Sequence, residues 1–358
     1  MLSYTGRNRA TCNYLKTLYF AIPEWTPVVV SLMPATWMKY RTALEEIVLA
    51  HPRIFPGYRR GDRDFDAIPN PLYALGRHTD CWGVVWQNIE HGLDSIPIVH
   101  PLTDWAALAN YTFPDPDRDG LFSPRDWAQV AQQLQAAKAR GDLAESSPLP
   151  HGFFYMLLFY LRGFENLMLD LATAEPRLRQ LIQCIEEYNG AVINKTLALG
   201  AEQLRFGDDL GIQKSLPISP AMWRQFIKPS YARMFQPARA ADLPIYLHTD
   251  GHILDIIPDL IEVGVRMLNP QIRANGLAGL VEMAKGKVAI HIDLDRQLFP
   301  FATPSQIEDH IGEVFEALYL PQGGLMIHAE CEPDVSLDNI ETILATLEKV
   351  CKLPRELV

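Results

Sequence analysis

From Gln203 onward, short apolar runs and amphipathic stretches alternate five times. The pattern predicts strands at 203–207, 244–248, 265–268, 287–292 and 324–327, with helices at 220–241, 253–263, 277–284, 304–318 and 337–352. Ser219 before Pro220 and Thr303 before Pro304 supply the hydroxyl cap and first-turn proline with which helices open. Strands joined through helices pair in parallel with right-handed crossovers. None of them is followed by the glycine-rich phosphate fingerprint of a dinucleotide-binding sheet. A chain of 358 residues is long enough to close such a sheet. The expected fold is therefore α/β, a (β/α)8 TIM barrel, as a single domain over residues 1–358. Helical patterns at 157–171 and 177–199 precede the alternation. The stretch before about residue 150 is irregular and proline-rich and reads as an N-terminal extension, with one helix at 127–139 in a loop insertion.

The formal net charge of −11 argues against nucleic acid as a partner, since phosphate binding needs a basic surface. It also disfavours a strongly anionic substrate unless cations gather in the pocket. No apolar run approaches the ~20 residues of a bilayer span, and the N-terminus lacks the features of a secretory leader. A cytoplasmic enzyme with no membrane partner is expected. The five cysteines (Cys12, Cys81, Cys184, Cys331, Cys351) are scattered without a CxxC pair, as reduced thiols are.

Barrel enzymes carry their chemistry just past the C-terminal ends of the strands. There this chain places Asp208 and Asp209, His248 and Asp250, Asn269 and Gln271, then His291, Asp293 and Asp295, and last His328, Glu330 and Cys331. Strand-end aspartates also cap helices, so part of this set is expected to be structural. His248 and Asp250, two apart on an extended segment, point to one side. With Cys331 they make an imidazole, carboxylate and thiolate set suited to zinc with an open position, to which Glu330 adds an oxygen or a base. The competing expectation has His248 orienting a helix start, Asp250 capping it and Cys331 filling core space. Asp208 and Asp209 are neighbouring carboxylates in a glycine-flanked turn. Mutual repulsion would raise one of them, which suits proton transfer; local turn hydrogen bonds are the plainer alternative. Asp80, beside Trp82 and Trp86, is a further candidate acid in aromatic surroundings that would either hold a planar ligand or form core. His78 and His151 read as loop residues rather than ligands.

These residues fall in ordered motifs. Gly207–Gln213, Ile218–Arg224, Phe226–Tyr231, Leu247–Gly251, Ile256–Glu262, Leu268–Gln271 and Asp295–Gln297 with Pro300–Pro304 together resemble the uroporphyrinogen decarboxylase superfamily, as do His100–Trp105 and Phe113–Pro116 upstream. Its tetrapyrrole decarboxylases grip substrate carboxylates with an N-terminal Arg-Gln-Ala-Gly-Arg motif. The corresponding stretch here, Val30–Trp37, has no arginine, which counts against a polyanionic tetrapyrrole. Zinc-dependent methyltransferases of the same superfamily bind metal through His-x-Cys after one strand and Cys after a later one. His248 and Cys331 match two of those positions, and Asp250 stands where cysteine is usual, an anionic but harder ligand. The resemblance thus implies a methyltransferase that uses zinc as a Lewis acid and moves a methyl group from a methylated small molecule to the corrinoid of a partner protein. O-demethylation of aromatic methyl ethers is included in that class, and Asp208, Asp209, Asp80 and Glu330 would handle protons or orient substrate. The alternatives are a metal-free, decarboxylase-like lyase acting on a non-tetrapyrrole substrate and a non-catalytic binding barrel. A homodimer is compatible with each.

Overall fold

The computed structural model describes residues 3–68 and 70–354. Among them run ten strands: β1 (Val28–Leu32), β2 (Gly76–Thr79), β3 (Val85–Asn88), β4 (Ile96–Val99), β5 (Glu145–Ser146), β6 (Gln203–Gly207), β7 (Ile245–Thr249), β8 (Val265–Pro270), β9 (Ala289–Asp293) and β10 (Leu325–Cys331). Seven of them form the parallel sheet of a (β/α)8 barrel class fold, and β2, β3 and β4 form a separate sheet. The chain divides into two compact units. The first comprises Gly76–Gln87 and Ser95–Met267 with the residues up to Thr5; the second comprises Gly6–Leu75, Asn88–Asp94 and the chain from Leu268 on. No helix among the described residues is long and apolar enough to cross a membrane.

In the first unit β5, β6 and β7 lie in that order, parallel, with Glu145 opposite Gln203 and Gly207 opposite His248. Ile245, Tyr246 and Leu247 of β7 are all buried, because parallel strands are covered on both faces. Around β6, the rings of Phe153, Phe206, Phe235 and Tyr231 form a closed cycle in which each ring lies 4.9–5.4 Å from the next. In the second unit β9, β10 and β1 lie in that order, also parallel, with Ile290 opposite Leu325 and Val28 opposite Ile327. All five residues of β9 are buried.

Where sequence patterns predict single helices, proline and glycine divide three of them. The stretch 157–171 is two helices, Tyr155–Arg162 and Phe164–Thr173, parted by Gly163 at φ 78°. The stretch 220–241 is Pro220–Phe226 and Lys228–Ala240, because Pro229 has no N–H and its ring collides with the preceding turn. The stretch 253–263 opens on a tight turn at Leu254–Ile256 before Ile257–Glu262, with Pro258 in the first turn. The caps are as expected. Ser219 accepts from Met222 N–H, and Thr303 forms a capping box with Gln306. The N-terminal stretch contributes more than an extension, since Val28–Leu32 is a strand of the main sheet.

One buried ion pair ties the irregular segment around Leu102 to the helices that follow it. Arg162 donates to Asp170 at 2.7 Å and to the carbonyls of Leu102 and Thr103, and its guanidinium lies 3.9 Å from the centre of the Trp105 ring. The Trp105 indole N–H donates to the other Asp170 oxygen at 3.0 Å. Arg162→Ala should cost about 3–5 kcal/mol of folding stability, because it leaves the buried Asp170 carboxylate without its countercharge. Chemical denaturation measures this, and a loss below about 1 kcal/mol would show that the pair contributes no more than a surface one.

Candidate active site

The in-step ends of β6 and β7 create the site. With Gly207 opposite His248, the turn Asp208–Asp209 runs beside His248–Asp250, and Asp208 N–H donates to the His248 carbonyl at 3.0 Å. Asp209 Oδ1 accepts from Asp250 N–H at 3.0 Å, and Leu210 N–H reaches the Thr249 hydroxyl at 3.1 Å. The two turns touch through glycine. A Cβ on Gly251 would stand 2.2 Å from the Gly211 carbonyl carbon, and Gly251 has φ +81°, so neither position accepts a side chain.

The imidazole of His151 reaches this place from a loop. Gly152 N–H donates to the Gly207 carbonyl at 2.7 Å, and a Cβ on Gly207 would lie 2.5 Å from His151 Nδ1. The bare glycine is what lets the ring lie against the strand end. His151 Nε2 is 3.1 Å from Asp209 Oδ2, and its ring is 5.6 Å from that of His248. His248 Nε2 is in turn 3.3 Å from Asp250 Oδ1, so His248 and Asp250 do share a side.

The two adjacent aspartates differ sharply. Asp208 is fully buried and accepts from Tyr155 N–H at 2.7 Å, Met156 N–H at 2.9 Å and the Tyr231 hydroxyl at 2.6 Å. Burial outweighs these bonds and pushes its carboxyl up to about 6. One aspartate of the pair is raised, as repulsion between neighbours would do, but burial is the cause. Burial acts on Asp209 too, yet the His151 hydrogen bond, the charges of His151 and His248 and the Asp250 N–H hold it below the usual carboxylate range. His151 is the converse: burial would lower it, and Asp209 raises it above the usual imidazole value.

His151, Asp209 and His248 each offer a ligand atom, all within 4.8 Å of one another. Donors about 2.0–2.2 Å from one tetrahedral zinc lie about 3.3–3.6 Å apart. A pair at the outer limit must therefore close by about 1 Å, within the reach of side-chain rotation at a strand end, and two imidazoles with a carboxylate are a donor set zinc accepts. The residues fit the metal. His151, a loop residue by its sequence context, is in a loop, and its ring joins the cluster. The other candidates sit as follows. Asp80 is buried and accepts from Trp82 N–H, Val84 N–H and the Trp86 indole, each at 2.9 Å, inside its own hairpin. In the second unit Glu330 pairs with Arg296. Cys331 is fully buried, its carbonyl accepts from the Thr36 hydroxyl at 2.8 Å, and burial pushes its thiol up to about 12.

Residues 153–350 match the uroporphyrinogen decarboxylase (URO-D) family. No curated protein matches the chain in sequence. Among solved structures, a methyltransferase from Methanosarcina mazei is similar with a TM-score of 0.59 and 15% identity, over 96% of this chain and 99% of that one. A B12-independent methionine synthase from Shewanella sp. W3-18-1 aligns with a TM-score of 0.41 and 10% identity, over 66% of this chain and 72% of that one. A dihydropteroate synthase from Xanthomonas albilineans aligns at 0.32 and 17% identity, over 46% and 62%. The first likeness is one of fold, and the other two carry no weight.

The raised Asp208 carboxyl has a measurable consequence. Its folded value of about 6 lies above the ~3.9 of an unfolded aspartate, so the folded chain binds that proton more tightly. Its contribution to stability is greatest below about pH 4, declines by about 3 kcal/mol as pH rises to about 6, and is level above. Asp208→Asn should abolish that slope in urea titrations across the interval. At neutral pH it should also cost about 1–3 kcal/mol, because an amide nitrogen would face a donor.

Proposed function

Because the chain belongs to the uroporphyrinogen decarboxylase (URO-D) family, we propose that it is a zinc-dependent methyltransferase, passing the methyl group of a methylated small molecule to the corrinoid of a partner protein. Aromatic methyl ethers are the substrate class to assay first. The observation that carries this function is the close set of His151, Asp209 and His248 donors, with the Asp250 carboxylate beside His248. The Methanosarcina mazei methyltransferase, similar in fold over nearly the whole of both chains, is in keeping with it.

His151, Asp209 and His248 would hold the ion, with Asp250 supplying a further oxygen. The set that the family resemblance implies, His248 with Asp250 and Cys331, shares two residues with this one and differs in the thiolate. Zinc, when bound, supplies Lewis acidity at the heteroatom that gives up the methyl group. The chain's own residues orient the donors. Asp208, with both oxygens occupied by the helix start at Tyr155 and by Tyr231, enters as a positioning residue that fixes the Asp208–Asp209 turn. Asp80 enters in the same way for its hairpin. Asp209 accepts the Asp250 N–H on one oxygen, which keeps the two turns in register, and turns the other toward His151 Nε2. Glu330 is engaged by Arg296 within the second unit. A lyase that grips a polyanion has less support, since Arg273 is paired with Asp295 and Arg296 with Glu330.

The test is zinc content beside methyl transfer to cob(I)alamin. The wild-type chain should retain about one zinc through dialysis, and His248→Ala should lose zinc and transfer together, since too few ligands remain. His151→Ala and Asp209→Asn should lose zinc as well, and Cys331→Ser should keep it. Loss of zinc from Cys331→Ser alone would give the site to the thiolate set. A folded wild-type chain that takes up no zinc and transfers no methyl group would overturn the proposed function.

A further inference from the structure

The second unit holds a different polar cluster, built from three neighbouring strands. Asp293 ends β9, His328 lies on β10 directly opposite it, and Ser31 lies on β1, which pairs with the other edge of β10. The His328 Nδ1 is in close hydrogen-bond contact with Asp293 Oδ1. Its Nε2 is 2.8 Å from Ser31 Oγ. A carboxylate can only accept, so Nδ1 carries the proton, and the neutral ring then offers a lone pair at Nε2. The hydroxyl of Ser31 therefore donates to Nε2, which is the direction that prepares a serine oxygen for attack. Exposure grades the same way. Asp293 is 3% exposed, the His328 side chain 13%, and Ser31 is half-buried. The orienting acid is the deepest of the three, and the imidazole and the hydroxyl are both partly exposed. Leu294 N–H donates to the His328 carbonyl at 3.0 Å, locking the two strand ends together, and the His291 ring flanks that of His328 at 5.5 Å.

We propose that Ser31, His328 and Asp293 form a nucleophilic centre that takes the acyl group of a small carboxylic ester. The same three roles recur on unrelated folds, where they are recognised by geometry rather than by order in the chain. Ser31 Oγ bonds to the acyl carbon while its proton passes to His328 Nε2. The ester C–O bond then breaks, and the departing alcohol takes that proton. Water attacks the acyl serine, returning a proton through the same nitrogen, so that ester and water become acid and alcohol and the serine is restored. Asp293 is a positioning residue that keeps the proton on Nδ1 and balances the imidazolium. The centre lies wholly in the second unit and does not depend on the methyl-transfer function.

The test treats the full chain with a fluorophosphonate probe at neutral pH and maps the adduct by peptide mass spectrometry. One adduct is expected, on Ser31, and it should be absent from Ser31→Ala and from the heat-denatured chain. His328→Ala should slow labelling by about 10²–10⁴-fold, and added imidazole should restore part of the rate, which a merely structural histidine would not allow. Asp293→Asn should slow it as well, at an unchanged thermal midpoint. Should either of those two variants fail to fold, the wild-type chain and Ser31→Ala decide the matter alone. A native chain that takes no probe, or an adduct that survives Ser31→Ala, would overturn the proposal and leave Ser31 as a hydrogen-bond partner of His328 only.

Discussion

The alignment of β6 with β7 is the constraint from which the rest of the candidate site follows. Gly207 faces His248, and a slip of one residue would turn every side chain of one strand to the other face. The strands stay in step because the turns beyond them are bonded to each other. Asp208 N–H binds the His248 carbonyl, Asp250 N–H binds Asp209, and Gly211 and Gly251 touch backbone to backbone. With that register set, an imidazole and two carboxylates must emerge side by side, and the bare Gly207 admits a second imidazole.

The same geometry explains how two adjacent aspartates come to titrate apart. Asp208 points inward, to the start of the helix Tyr155–Arg162 and to Tyr231, where burial favours its neutral form. Asp209 points toward His151, which favours its ionised form. Environments that drive two like groups apart divide structural from reactive duty. Asp208 holds the turn, and Asp209 faces the donors. Asp80, which satisfies three donors of its own hairpin, is of the first kind.

Much of this is legible in the sequence where the signal is local. The strand at 203–207, the helix at 304–318 and the caps at Ser219 and Thr303 are read to the residue, because each depends on near neighbours. His248 and Asp250 are legible as partners because they lie two apart across the end of a strand. Cys331 resembles a ligand only by position in a motif, and its burial is a tertiary fact that no spacing reports. β1 escapes notice because Val28–Leu32 is short, lies between Pro27 and Pro34, and shows no clean alternation. His151 escapes it because a loop histidine has no period, and what recruits it is a glycine far along the chain. The Ser31, His328 and Asp293 arrangement is likewise invisible in sequence, since its members come from three strands that only the sheet brings together.

On the proposed function, the loop at His151 and the ends of β6 and β7 bind a metal through nitrogen and oxygen donors. X-ray absorption at the zinc edge, on the chain loaded with one equivalent of zinc, reads those donors without reference to activity. The expected spectrum has a single shell of nitrogen and oxygen at about 2.0–2.2 Å, with the outer scattering of imidazole and no sulfur. A sulfur shell at about 2.3 Å, or zinc that shows no imidazole at all, would contradict it.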